Sequence, residues 1–287
     1  MALKDLLVYL DETPGSLGRL SLAADLARRH RSRLTALYVR EWTPAQLAQR
    51  RTAELAGRPM SDVRQLDQTV EASIDSCEGR LRTELQRLAD DHGLDVEWRS
   101  VAGDPLDVLP QHARHADLSI LDVNTPATST AAGYRFSEEM LFVAGRPVLF
   151  VPAVTNLRTL GRHIAIAWNS SRAAARSLHD ALPLIEQADE ITVLTVNGAD
   201  FIDRHGALPL PELIAHLGRH GVAAKSIEAN GVPAGQIGEE LQTRARALGA
   251  DLLVAGAYGH SRLREILMGG VTRDLLSRMT LPIMMSY

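Results

Sequence analysis

Residues 250–256 read ADLLVAG, and residues 116–122 read ADLSILD. Each is a short, almost continuous apolar run behind an Ala-Asp pair, and the two lie 134 residues apart. Residues 146–152 (RPVLFVP) and 281–287 (LPIMMSY) repeat at nearly the same interval. Upstream, residues 5–11 (DLLVYLD) and 163–169 (HIAIAWN) each end on a polar residue and run into an amphipathic helical pattern. Three landmarks recurring in one order mark two copies of a single unit.

Working outward, apolar runs alternate with helical patterns inside each copy. Strands are expected at 4–10, 33–39, 96–100, 118–122 and 147–151, and again at 163–168, 191–196, 224–228, 251–256 and 282–286. Ala174, Leu178, Leu182 and Ile185 form one stripe of a helix over 171–187. Ile237, Leu241, Ala245 and Leu248 form another over 234–248, bracketed by Pro233 and Gly249. A long helix in the first copy buries Ile74, Leu81, Leu85 and Leu88, with Cys77 beside that face as core filling. Alternating strands and helices, with strands apolar on both sides, predict an α/β fold: tandem domains at 1–152 and 162–287, each a five-stranded parallel sheet flanked by helices. Residues 153–161 read as the linker. Such sheets bind ligands beyond the carboxyl ends of their strands.

Composition agrees. The 287 residues are 45% hydrophobic, 23% charged and only 4% aromatic, so aliphatic side chains must fill the core. No apolar run reaches the ~18 residues of a membrane span, and the acidic start is unlike a secretory signal. A lone cysteine points to a reducing, cytoplasmic setting. A net charge of −4 argues against nucleic acid as the main partner. No Gly-Lys-Ser/Thr triplet marks a P-loop. Residues 41–66, without an equal in the second copy, read as a surface excursion, with a lid or partner-docking element as the sharper alternative.

The chemistry concentrates in 251–276, DLLVAGAYGHSRLREILMGGVTRDLL. A strand runs into Gly256 and Gly259, then a charged segment, then Gly269, Gly270 and a helix opening near Thr272. Glycines admit a phosphate close to the backbone, and the helix start offers free N–H groups. Ser261 and Thr272 add hydroxyls, and Arg262 adds charge. His260 either touches a phosphate or caps the loop.

This stretch resembles the nucleotide-binding signature of the universal stress protein family: Gly, two residues, Gly, nine residues, Gly, then Ser or Thr. Gly256, Gly259 and Gly269 match it, with 260–268 as the intervening nine. The resemblance spans both halves, as in a tandem universal stress protein, and implies an adenine-nucleotide alpha-hydrolase-like, doubly wound fold. It implies ATP or a related adenine nucleotide, accompanied by Mg2+, in the second copy. There Ala167, Asn169 and Val196 border the adenine and ribose, and Gly256, Gly259, His260, Ser261, Arg262, Gly269, Gly270 and Thr272 hold the phosphates. Two positions depart from the pattern: Gly270 replaces the family's hydroxyl residue, and Asn169 its acidic residue after strand one. The first copy keeps that acid as Asp11. It carries Asp122 where Gly256 stands, and Tyr134-Arg135 near Gly269-Gly270, so phosphate binding is not expected there.

Three functions follow: a stress-response protein binding an adenine nucleotide, an interaction module binding a protein partner without nucleotide, and a slow nucleotide hydrolase. No catalytic set or Gly-x-Ser-x-Gly elbow supports the last. His112 with His115, and His216 with His220, have helical spacing but no third metal ligand in the sequence, and read as solvated faces. The resemblance also implies pairing of the terminal strands within the chain, and a homodimer.

Overall fold

The computed structural model describes residues 2–40, 63–123, 133–152, 159–197, 210–257 and 270–287. The amino-terminal half contains β1 (Asp5–Leu10), α1 (Gly15–His30), β2 (Arg33–Arg40), α2 (Val63–His92), β3 (Val96–Ala102), α3 (Pro105–Ala113), β4 (Leu118–Asp122), α4 (Gly133–Val143) and β5 (Val148–Val151). The second half repeats the order with β6 (His163–Ala167), α5 (Arg172–Ile185), β7 (Glu190–Val196), α6 (Leu210–Arg219), β8 (Ala224–Ala229), α7 (Ile237–Ala247), β9 (Leu252–Gly256), α8 (Gly270–Ser277) and β10 (Ile283–Ser286).

The strands form one ten-stranded sheet in the order β3-β2-β1-β4-β5-β10-β9-β6-β7-β8. Each half is parallel throughout, and the seam between β5 and β10 is antiparallel, with Met284 opposite Leu149. All residues of β4, β5 and β10 are buried, as strands covered on both faces must be. One core layer gathers Leu20 and Leu26 of α1, Leu81 and Leu85 of α2, Leu178 of α5 and Leu217 of α6. The other gathers Leu109 of α3, Phe136 of α4, Leu241 of α7 and Leu275 of α8. Both layers run through the two halves without a break at the seam.

The repeated Ala-Asp pair has a structural task. Asp117 accepts from the N–H groups of Lys4 (2.7 Å) and Asp5 (3.1 Å). Asp251 does the same for Arg162 (3.0 Å) and His163 (3.1 Å). Each carboxylate therefore ties the start of one central strand to the start of its neighbour, at the sheet edge opposite the expected ligand crevice. Local side chains and a glycine set several helix ends. Asp104 caps α3 through the Leu106 N–H (2.8 Å), Ser171 caps α5 through the Ala174 N–H (3.1 Å), and Gly249 closes α7 at φ +74°. Residues 41–62, most of the excursion read from the sequence, and 153–158 of the linker lie outside the described residues. Among the described residues no helix is long and apolar enough to cross a membrane.

Candidate functional site

In the second half, β9, β6 and β7 lie side by side in the sheet, and α5 and α8 follow β6 and β9 in the chain. Ala167 and Val196 are half-buried and pack on the second core layer. Asn169 is exposed; its Oδ1 accepts from the Ser171 N–H at 3.2 Å, turning the chain into α5 with Ser170 at φ +57°. Beyond Val196, Asn197 (φ +52°) braces the next turn by donating Nδ2–H to the Val232 carbonyl (2.6 Å) and accepting the Val232 N–H (3.1 Å). Gly270 opens α8 with nothing within 4 Å of where its Cβ would stand, and Thr272 is buried one turn in. Gly259, His260, Ser261, Arg262 and Gly269 lie outside the described residues.

Gly256 has a packing reason of its own. A Cβ there would fall 2.5 Å from both Ala173 C and Ala174 N. The missing side chain thus lets the first turn of α5 lie directly against the end of β9. Ser177, on the same helix, donates to the Ala255 carbonyl (2.8 Å) and accepts the Ser286 N–H (3.1 Å), fastening α5 to β9 and β10.

Three side-chain polar atoms at the carboxyl ends of these strands are left over. The Trp168 Nε1–H and the hydroxyls of Thr195 and Ser286 are buried and have no hydrogen-bond partner among the described residues. They stand at the ends of paired strands, for the Trp168 N–H donates to the Leu194 carbonyl at 2.8 Å. A buried donor without an acceptor costs about 1–3 kcal/mol, so such groups mark where a bound molecule or an ordered water belongs.

The equivalent edge of the first half is filled from within. Arg19 of α1 is 1% exposed. Its Nε donates to the Tyr9 carbonyl (2.7 Å), Nη1 to Asp122 Oδ2 (3.0 Å), and Nη2 to Asp11 Oδ1 (3.2 Å) and Ser16 Oγ (3.0 Å). Asp11 Oδ1 also receives the Thr13 N–H (3.0 Å) and the Ser16 hydroxyl (2.6 Å). Asp122 therefore does not face the crevice as an unpaired acid, as the sequence suggests; it is buried and neutralised by a guanidinium. In the repeat alignment Arg19 falls at Ser177, Leu10 at Trp168 and Tyr38 at Thr195. The Tyr38 hydroxyl is satisfied by Glu12 (2.6 Å), and burial with that carboxylate pushes the phenol far above its ordinary range. Trp98 stacks on Tyr38 at 6.0 Å and donates to Glu78 (3.3 Å), which also binds Arg40. Cys77 sits half-buried over the Asp11 carbonyl, its thiol pushed up by burial. The side chains of Tyr134 and Arg135 lie outside the description.

Sequence reading missed Arg19. The available signal was an arginine on the buried stripe of α1, three residues after Ser16 and four before Ala23, where an apolar residue belongs unless buried acids face it.

Fold and edge together define a tandem α/β protein with unequal halves. Residues 162–286 match the universal stress protein family, and this half of the chain belongs to it. The whole chain superimposes on a universal stress protein from Archaeoglobus fulgidus DSM 4304 (TM-score 0.69, 16% identity, 98% of this chain and 97% of that one). It also superimposes on a functionally unknown protein from Pseudomonas aeruginosa PAO1 (TM-score 0.62, 15% identity, 99% and 92%). At these identities the likeness is one of fold, over both halves. No curated protein matches the chain.

Proposed function

We propose that the protein binds one adenine nucleotide, ATP or a close relative, at the carboxyl edge of its second half. The first half serves as a packed, self-filled partner domain. The reading rests on the Trp168 Nε1–H and Thr195 hydroxyl, unpartnered among the described residues, set against the Tyr38 hydroxyl bonded to Glu12 and the buried Arg19 paired with Asp11 and Asp122 in the first half. Polar groups left over at a strand-end crevice suit a base or ribose, which offers acceptors in fixed positions. The N–H groups opening α8 suit the phosphates. Gly259, Ser261, Arg262 and Gly269 complete the loop by sequence. Mg2+ enters with the nucleotide, through the phosphates. The domains divide at 1–152 and 162–287, and the setting is cytoplasmic.

Calorimetric titration of the full chain with ATP and AMP tests this. One nucleotide per chain is expected, with binding abolished in Gly259→Val and weakened about five- to tenfold in Trp168→Phe, which keeps the ring but removes the donor. No heat at millimolar nucleotide, or a Gly259→Val variant equal to wild type, refutes it and favours an interaction module.

A further inference from the structure

Among the described residues three large hydrophobic side chains are exposed, and two of them meet. Phe142 of α4 and Tyr287, the residue after β10, are 44% and 40% exposed, with ring centroids 4.8 Å apart at 70°. Each half of the chain supplies one ring. Their place follows from the topology. Tyr287 follows the carboxyl end of β10, where Ser286 pairs with Gly256 of β9. The strands β5 and β10 are antiparallel, so α4 and α8, which lead into them, run in opposite senses across the seam. Glu138 of α4 meets Arg273 of α8 at 3.4 Å. Phe142, one turn past Glu138, therefore stands at the end where α8 opens with Gly270. The sheet order β10-β9-β6-β7 sets the aromatic pair on the phosphate side of the crevice, with Trp168 and Thr195 on the other side.

Building on the nucleotide reading above, we infer that the ligand is a dinucleotide, two nucleosides joined through their phosphates, whose second base stacks on Phe142 and Tyr287. Exposed aromatic rings beside a phosphate-binding groove hold bases through their π-faces, with little regard to which base it is. Two rings match the area of one base and fall far short of the ~800 Å² that a protein partner covers. With strands about 4.8 Å apart, the end of β10 lies roughly 14 Å from the end of β7. Phosphates at the start of α8, between those two places, bridge that span. Ser286, directly before Tyr287, is 3% exposed, and its hydroxyl has no partner among the described residues. It is an unspent hydrogen-bonding group at the same end of the crevice. In the repeat alignment Phe142 falls at Ser277 and Tyr287 at Pro152, so the opposite edge of the seam carries no such pair. The first half thereby enters the site, by lending one ring to its neighbour.

The test titrates the full chain by calorimetry with diadenosine tetraphosphate and with ATP, which lacks the second adenosine. The dinucleotide is expected to bind about tenfold tighter than ATP, at one per chain. Phe142→Ser combined with Tyr287→Ser should shrink that preference to about twofold or less. Leu17→Ser, at the third exposed hydrophobic side chain, should keep it whole. Circular dichroism checks that each variant is folded. Equal affinity for the two ligands in the unaltered chain overturns the dinucleotide inference and leaves the nucleotide reading standing. So does an undiminished preference in the folded double variant, or an equal loss in Leu17→Ser. Binding of neither ligand overturns both.

Discussion

Removing the buried guanidinium tests the account of the first half. In Arg19→Met the methionine replaces most of the side-chain volume but none of the four donated bonds, which run 2.7–3.2 Å to Tyr9, Asp122, Asp11 and Ser16. Asp11 and Asp122, 1% and 0% exposed, are left without their cation. Breaking a buried ion pair from one side costs about 3–5 kcal/mol, because the surviving charge stays desolvated. For a cooperative unit of this size that is roughly 6–20 °C in Tm. Urea denaturation of both proteins should show this gap directly. Arg19→Met combined with Asp122→Asn should narrow it. A loss under about 1 kcal/mol refutes the reasoning that the triad is a single buried electrostatic unit.

Other variants separate packing from binding. Gly256→Ala drives a methyl into the backbone of α5 at 2.5 Å and should cost about 1–3 kcal/mol in thermal or urea melts, with or without nucleotide. Gly270→Ala, with open space around it, should stay within about 0.5 kcal/mol of wild type. Ser171→Ala removes the cap of α5 and should cost about 1 kcal/mol by urea titration. His30, buried where α1 meets the second half beside Gln187, is pushed down to about 4 by burial and by Arg29. Its unfolded state takes up protons first, so its contribution is full above about pH 6.5 and is lost as pH falls towards 4. His30→Gln should flatten that part of the stability profile.

Much of the fold was legible because it depends on local pattern. Every expected strand appears within a residue or two, and the central ones are the clearest, since strands buried on both faces must be apolar throughout. The end of α7 at Gly249 follows from local backbone chemistry that needs no tertiary knowledge. The site was less legible. Gly256 reads as a phosphate glycine, yet α5 lies against it, a contact between residues some eighty positions apart. Asp122 reads as exposed because its counter-ion is 103 residues earlier. Trp168 and Thr195 read as ordinary strand residues, and only assembly of the sheet leaves their polar atoms unpartnered. Pairings that span the chain carry no periodic signal, so sequence shows the candidates without their partners.

The central claim is an asymmetry: one half of the sheet receives a nucleotide, and the other has filled the same place with its own arginine. Native mass spectrometry of the full chain titrated with ATP reads this directly. The account predicts a single added nucleotide per chain, lost on Gly259→Val and retained in Arg19→Met. Two nucleotides per chain, or none at millimolar ATP, contradict it.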